Sequence, residues 1–573
     1  MGLEQPHSQA QPSPTEENKA AIADDTVSAS DTTTVGEDDA STEKKSPLWR
    51  LIAVTIALCA AMFCMSLDGT ILATAIPKIT TEFGSLDDVA WYGSSYLFTT
   101  CAVQLMFGKF YTFYPAKWVF LSGLFIFELG SLICGVAPTS TALIVGRSVA
   151  GLGAAGIFSG AIIIIASTVP LRIRPIYTGI LSSMHGVACV AGPILGGAFT
   201  DHVTWRWCFY INLPFGGITA LFIFFFLPAT AMPVKKLGWR EHVKQFDLPG
   251  TFFLVPAVIS LLLALQWGGS AYPWSNGRVV ALFVVFGALF SVFLGIQMWQ
   301  KDRATIPIRI MKNRNIWGGV WYGVCLVAAL FLFTYYLPIW FQAIKGMSAT
   351  QSGIDNLPTL VGLVVFSIIG GGLASAIGYY TPLLIVSSVV TSIGAGMLST
   401  LKVDSTIGYW FGYQVLLSAG AGLGAQNVIL VAQVAVPPTE MAMATSILAF
   451  TQTLSSAVFL SVGQSVFQNR LIANLQSISP DIDAPLVVHS GAMGFRQHFS
   501  AAQLPLALHA YNQALVQTFF VAVATSALSI VGPIFMEWLS LKPEKKTKDK
   551  DEDEESQASE MPRIRTEATS SDR

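Results

Sequence analysis

The chain has 573 residues, 53% of them hydrophobic and 12% charged, with a mean hydropathy of +0.57. A charged share near half the ~25% usual for soluble domains excludes a water-soluble globular protein. Thirty-three basic residues against 35 acidic ones leave a net charge of −2, so no basic field exists to hold nucleic acid.

Residues 1–47 are rich in Ser, Thr, Asp, Glu and Ala, and too poor in apolar surface to order themselves; a disordered tail is expected there. Beyond it, apolar runs long enough for a membrane helix of roughly 20 residues recur fourteen times. They fall near 50–72, 91–113, 118–137, 142–168, 178–200, 206–227, 249–267, 278–299, 316–341, 353–374, 382–400, 407–431, 442–468 and 513–539. The first exceeds a signal-peptide core and follows a long polar stretch, so it is expected to remain as an anchor. Residues 541–573 form a second polar, charged tail. The fold class predicted is therefore an all-α polytopic membrane protein with 14 transmembrane helices.

Orientation follows from the basic residues. With the N-terminus in the cytoplasm, 25 of the 33 Lys and Arg residues lie on inside segments, seven lie outside, and Arg147 falls within a span. Both termini then sit in the cytoplasm. The longest outer connection, about 469–512, contains no cysteine, and the sequence has no N-x-Ser/Thr sequon, so no disulfide-bonded or N-glycosylated ectodomain is expected. All seven cysteines lie in apolar runs and read as small core residues.

Ionisable groups inside hydrocarbon cost several kcal/mol, about 2.5–3.5 on insertion scales, so each retained one asks for a reason. Asp68, near the outer end of span 1, and Arg147, in the outer part of span 4, lie at matching depth. An ion pair follows geometrically, either as a static bridge or as a proton-linked switch. Glu128, midway along span 3, is either a proton carrier or a neutral acid bonded to a neighbouring helix. His185 in span 5 is either a proton carrier or an interhelical donor. Asp355 and Glu537 lie near interfaces and are expected to be solvated.

Neutral polar groups gather in the later spans, and Gln426, Asn427 and Gln452 are candidates to line a cavity for an amphipathic ligand, with helix-to-helix bonding as the alternative. Gly146, Ala150, Gly153 and Gly156 form a small-residue face for close helix packing. Gly192, Pro193, Gly196 and Gly197 sit together near the outer end of span 5, as tight packing or as a bend that opens and seals the outer side. No phosphate loop, HExxH or GxSxG motif is present, so no ATP-driven engine is expected, and uphill work must draw on an ion gradient. No cofactor or metal is expected.

With these residues in hand, the chain from about 48 to 540 resembles the major facilitator superfamily, and within it the 14-span drug:proton antiporters, especially fungal efflux pumps for toxins and other secondary metabolites. LDGTILATAIPKI resembles the first-helix signature and carries Asp68 and Pro77. LIVGRSVAGLGAAG resembles the span 4 signature, whose Arg147 the family implicates in proton transfer. GVACVAGPILGGAF resembles the span 5 signature that marks exporters, and DHVTWRWCFYINLPFGG the segment leading into span 6. The loop GKFYTFYPAKWVF occupies the place of the family's gate motif and keeps Gly108 and Lys117, but has Thr112 in place of the acid and Pro115 in place of the second glycine.

The resemblance implies a six-helix bundle over 48–230, an inserted helix pair with basic linkers over 231–315, and a second six-helix bundle over 316–540. It implies proton-coupled efflux of an amphipathic small molecule by alternating access in the lipid bilayer of the plasma membrane, with a vacuolar or vesicle membrane as the other location; a monomer is expected. The competing transport reading is proton-coupled uptake of a nutrient or siderophore. A membrane-embedded enzyme or a receptor would want clustered catalytic side chains or a folded ligand domain, and the sequence offers neither.

Overall fold

The computed structural model describes residues 48–84, 88–228, 245–269, 272–478, 499 and 503–541. Both polar tails, the basic stretch at 229–244 and most of the predicted outer loop lie outside the described residues. The rest is helical, and among the described residues the only β pairings are two isolated bridges. All-α is therefore the observed class.

Among the described residues, thirteen helices are long and apolar enough to cross a membrane. The predicted second span is absent from that set, yet it forms: α2 covers Val89–Phe113. Its residues Ser95, Tyr96, Thr99, Thr100 and Gln104 lower its apolarity, and they face protein. Thr100 Oγ1 donates to Gly151 O at 2.9 Å, and Gln104 Nε2 donates to Ser159 Oγ at 2.5 Å. A helix wrapped by other helices can hold hydroxyls and amides that lipid would reject.

In the first half, α1 (Leu48–Phe83), α3 (Ala116–Val136), α4 (Ser140–Thr168) and α5 (Arg174–His202) are continuous. α1 outruns its apolar window and stops at Gly84, whose φ of +63° suits a residue without a side chain. The predicted span 6 is broken at Ile211 into α6 (Trp207–Tyr210) and α7 (Asn212–Phe226), because Pro214 offers no N–H to continue the ladder.

The inserted pair is α8 (Leu248–Trp267) and α9 (Gly277–Gln300). α9 is apolar on nearly every face and only 11% of its apolar window is buried within the protein, so it is the helix with the most surface for lipid. A short α10 (Ile308–Lys312) leads to α11 (Arg314–Ala343), α12 (Ala349–Asp355), α13 (Leu357–Ile377), α14 (Thr381–Leu398), α15 (Ile407–Ala425), α16 (Asn427–Val434), α17 (Met441–Ile478), α18 (Leu504–Leu528) and α19 (Val531–Ile534).

The small-residue face of α4 does what its spacing implies. A methyl group added at Gly153 would overlap the backbone of Phe127, and Gly123 lies against Gly156, so α3 and α4 touch main chain to main chain. α1 packs on α5 and α7, and α4 on α2 and α3. Further along, α11 packs on α17 and α18, and α15 on α13 and α14. The two sets meet along α5 with α13 and α2 with α17. One apolar core joins Phe98, Leu105 and Ile162 to Leu254 and Phe293 of the inserted pair and to Leu326, Val431 and Phe450.

Candidate functional site

Asp68 and Arg147 are 0% and 1% exposed, and Arg147 Nη1 donates to Asp68 Oδ2. The guanidinium is held on its other sides as well. Its Nε donates to Tyr92 O at 2.8 Å, and its carbon lies 4.5 Å from the centre of the Tyr96 ring. The remaining carboxylate oxygen, Asp68 Oδ1, accepts Asn212 Nδ2 at 3.2 Å. The same amide nitrogen donates to Ser131 Oγ at 3.2 Å. One buried centre thus joins α1, α2, α3, α4 and α7.

Glu128 lies on α3 one turn before Ser131. A methyl group at Gly216 would overlap its carboxyl, so this acid fills the space a side chain would take on α7. Both of its oxygens are buried and unpartnered among the described residues. An unpaired carboxylate in such a place is costly unless it binds a proton or the site hydrates.

His185 stands apart from the ion pair: it is exposed, its Nδ1 is 3.2 Å from Ser66 Oγ, and its Nε2 is 3.7 Å from Cys189 Sγ. α5 runs through Pro193 as one helix, with Gly192 against Thr70 and Gly196 against Thr74 and Ile71, while Gly197 meets nothing. Thr70 Oγ1 donates to Ala188 O at 3.0 Å, supplying a donor to the main chain just before the proline.

The two sets of helices close on each other at Gly108 of α2, where a methyl group would lie 2.7 Å from Ser446 Cβ of α17, and at Gly179 of α5, where it would lie 2.9 Å from Ser367 O of α13. Gly371 of α13 abuts Pro175 O likewise. These contacts adjoin the loops carrying Lys117, Arg172 and Arg174. Thr112, in place of the gate acid, only donates back to Gly108 O within its own helix. Lys117 turns to Phe224 O and the rings of Trp118 and Phe224 rather than to the seam.

Gln426 and Asn427 fall at the break between α15 and α16 and are buried; Asn427 Nδ2 caps Leu423 O at 2.6 Å, whereas Asn427 Oδ1 and Gln426 Oε1 are unpartnered among the described residues. Gln452 is half-buried with its amide against Gly323 of α11.

One residue departs from its sequence reading. Asp355 is half-buried rather than solvated, and its Oδ2 has no partner among the described residues. Glu537, with 42% of its side chain exposed, is solvated as expected, while pairing with Arg314 and accepting Asn315 Nδ2 at 3.2 Å. Trp205 is 4% exposed and donates Nε1 to Glu82 Oε2 at 2.6 Å. Arg206 Nη1 donates to Glu82 Oε1 at 2.9 Å and its Nη2 to Ala137 O at 3.0 Å, so this cluster ties α1, α3 and α6 beyond their apolar windows.

The Trp205 hydrogen bond, then Arg206, hold the Glu82 carboxyl below the usual carboxylate range. A depressed folded-state value contributes stability above the unfolded value of about 4.3, and that contribution is lost as pH falls through the folded value. Glu82→Gln should therefore lower the melting temperature at pH 7 by about 1–2 °C, small because the side chain is 45% exposed, and the difference from wild type should shrink in acid as the wild-type carboxyl takes up its proton. Thermal unfolding of both proteins across pH checks this.

Two features escaped sequence reasoning. Asn212 was available inside FYINLPFGG, as the one amide in an otherwise apolar span start. Asp247 precedes Leu-Pro-Gly as a helix N-cap signal, but lies outside the membrane runs in which an ionisable group stands out. It is 1% exposed, at φ +45°, and its carboxylate accepts five donors: Gly250 N, Gln297 Nε2, Gln300 Nε2, Thr305 N and Thr305 Oγ1, at 2.6–2.8 Å.

A helical polytopic membrane protein with a buried acid–base pair in one half and a seam between two helix sets has the form of a solute carrier. Sequence comparison gives the family: the Major Facilitator Superfamily profile matches residues 58–460, and the chain belongs to that superfamily. It is 52% identical over 499 residues to "Efflux pump roqT" of Penicillium rubens, covering 87% of this chain and 93% of the relative. It is 50% identical over 531 residues to "MFS-type efflux pump MFS1" of Trichophyton rubrum, covering 92% and 98%. Among solved structures, the fold is shared with the proton:xylose symporter XylE at TM-score 0.53, 12% identity and 85% and 95% coverage, and with the human organic anion transporter MFSD10 at TM-score 0.52, 15% identity and 82% and 99% coverage. The protein is a multi-pass membrane transporter.

Proposed function

We propose that the chain exports an amphipathic small molecule, a fungal secondary metabolite or drug, in exchange for protons by alternating access. The observation that carries this is the Asp68–Arg147 pair, fully buried within the helices with an unpartnered Glu128 close by on α3. A purely structural bridge has no use for a second, unpaired acid beside it, whereas a proton carrier does. The names of the relatives support the direction of transport: the Penicillium and Trichophyton proteins are both efflux pumps.

In this reading the contacts at Gly108, Gly179 and Gly371 seal the cytoplasmic side. A proton arriving from outside neutralises Asp68, frees Arg147 and shifts the balance toward the inward state; cargo binding there favours its release. Gln426, Asn427 and Gln452 line the cargo path, and the glycines around Pro193 let the outer half of α5 lean on α1. The carrier is a monomer in the plasma membrane with both termini cytoplasmic, needs no ATP, and is not an enzyme.

The test is transport in sealed liposomes holding the purified full chain, with a panel of fungal metabolites as cargo. An imposed proton gradient should drive accumulation of at least one cargo against the proton flow, and a protonophore should abolish it. Accumulation unaffected by the protonophore would overturn the reading.

A further inference from the structure

Asn212 is fully buried at the start of α7, one turn before Gly216, and its amide reaches Asp68 and Ser131. Asp68 can only accept while ionised, so the nitrogen, not the oxygen, must face it. The two N–H bonds of that nitrogen go to Asp68 Oδ1 and Ser131 Oγ, both at 3.2 Å. Asn212 Oδ1 is then left buried and without a donor among the described residues. Native proteins seldom bury an orphaned acceptor without a use for it. The same helix seam, one turn on, holds Gly216 against Glu128, whose two oxygens are equally unpartnered. An orphaned amide oxygen and an orphaned carboxyl on one α3–α7 seam form a complementary pair as soon as the carboxyl carries a proton, for its O–H is then a donor.

We propose that Asn212 is a positioning residue of the coupling site: it holds the Asp68 carboxylate toward Arg147 and keeps a free acceptor for the O–H of a protonated neighbouring carboxyl. This rests on the proton-coupling reading above and deepens it. The groups facing Asp68 are Arg147 from α4, Tyr96 from α2, Glu128 and Cys134 from α3, Cys64 from its own helix and Cys208 from α6. Arg147 is the one cation among them. Asn212 is the other side chain bonded to the carboxylate, and it holds the oxygen that Arg147 leaves free. With the amide gone, Asp68 loses a donor that favours its charged form, and so takes up a proton at higher pH.

Infrared spectroscopy of the purified full chain tests this without any cargo. The carboxyl C=O stretch that titrates in wild type and is missing in Asp68→Asn reports Asp68. In Asn212→Ala its midpoint should move to higher pH by about one to two units, the size expected for losing one hydrogen bond to a charged group. Asn212→Ser, which keeps a donor, should restore part of the shift. A midpoint equal to wild type in both variants would overturn the inference and leave the coupling reading standing. Loss of folded protein from the membrane in both would assign Asn212 to assembly and overturn it as well. If no band titrates in wild type, the coupling reading itself fails.

Discussion

Arg147→Ala should abolish proton-driven efflux while leaving downhill cargo exchange measurable. Removing one partner of a buried pair typically costs about 3–5 kcal/mol, because the other charge is left uncompensated. Here Asp68 has an escape: it can take up a proton and stay neutral beside Asn212. The protein then survives in the membrane, but the site no longer alternates between its two states, and a few kcal/mol of lost preference corresponds to about a hundredfold or more in coupled rate. Asp68→Asn should give the same phenotype from the other side, leaving Arg147 with Tyr92 O and the Tyr96 ring.

The double substitution should not be the sum of the two, since both remove one interaction. The check is parallel measurement, in one liposome preparation, of gradient-driven accumulation and of cargo exchange with no gradient. Arg147→Ala that still accumulates cargo at the wild-type rate would reduce the pair to a bridge between helices.

That pair was open to inspection in the sequence because it needs only helical rise: two residues at equal depth on antiparallel spans can meet. The small-residue face of α4 was legible for a similar reason, as a local periodicity that says how near another backbone comes. What escaped were partnerships set by three-dimensional register. Nothing in the spacing of Glu128 says that Gly216 stands opposite it, or that Asn212 will reach Asp68 rather than its own backbone. Asp355 is misread by proximity to a span end, which fixes depth but not which face of the helix meets protein. Span 2 illustrates the converse: its polar content weakens the lipid signal for the same reason that it packs well, since both follow from being surrounded by α4 and α17.

Asp247→Ala should be the most destabilising single change outside the membrane runs. Its carboxylate closes the base of the inserted α8–α9 hairpin by accepting from the start of α8, from two glutamines at the end of α9, and from both the N–H and hydroxyl of Thr305. Hydrogen bonds to a charged group contribute about 1.5–3 kcal/mol each, and donors stripped of their acceptor in a buried place carry a further penalty. Even with partial rehydration, a loss of at least about 3 kcal/mol is expected, with Asp247→Asn between Ala and wild type. Asn tolerates the left-handed backbone at this position but turns a donor toward donors.

The consequence should extend to the seam. The turn that Asp247 fixes presents Arg303 O, which accepts Lys109 Nζ at 3.0 Å, and Lys109 follows Gly108, the residue pressed on Ser446. This contact ties the end of α2 to the turn after α9. Hydrogen exchange of the purified protein should therefore quicken in Asp247→Ala both at 301–306 and along α2 around Gly108, whereas Glu82→Gln should leave both unchanged. Faster exchange confined to the hairpin would mean that Asp247 steadies spans 7 and 8 alone and that α2 keeps its closure through Gly108 and Ser446 by packing.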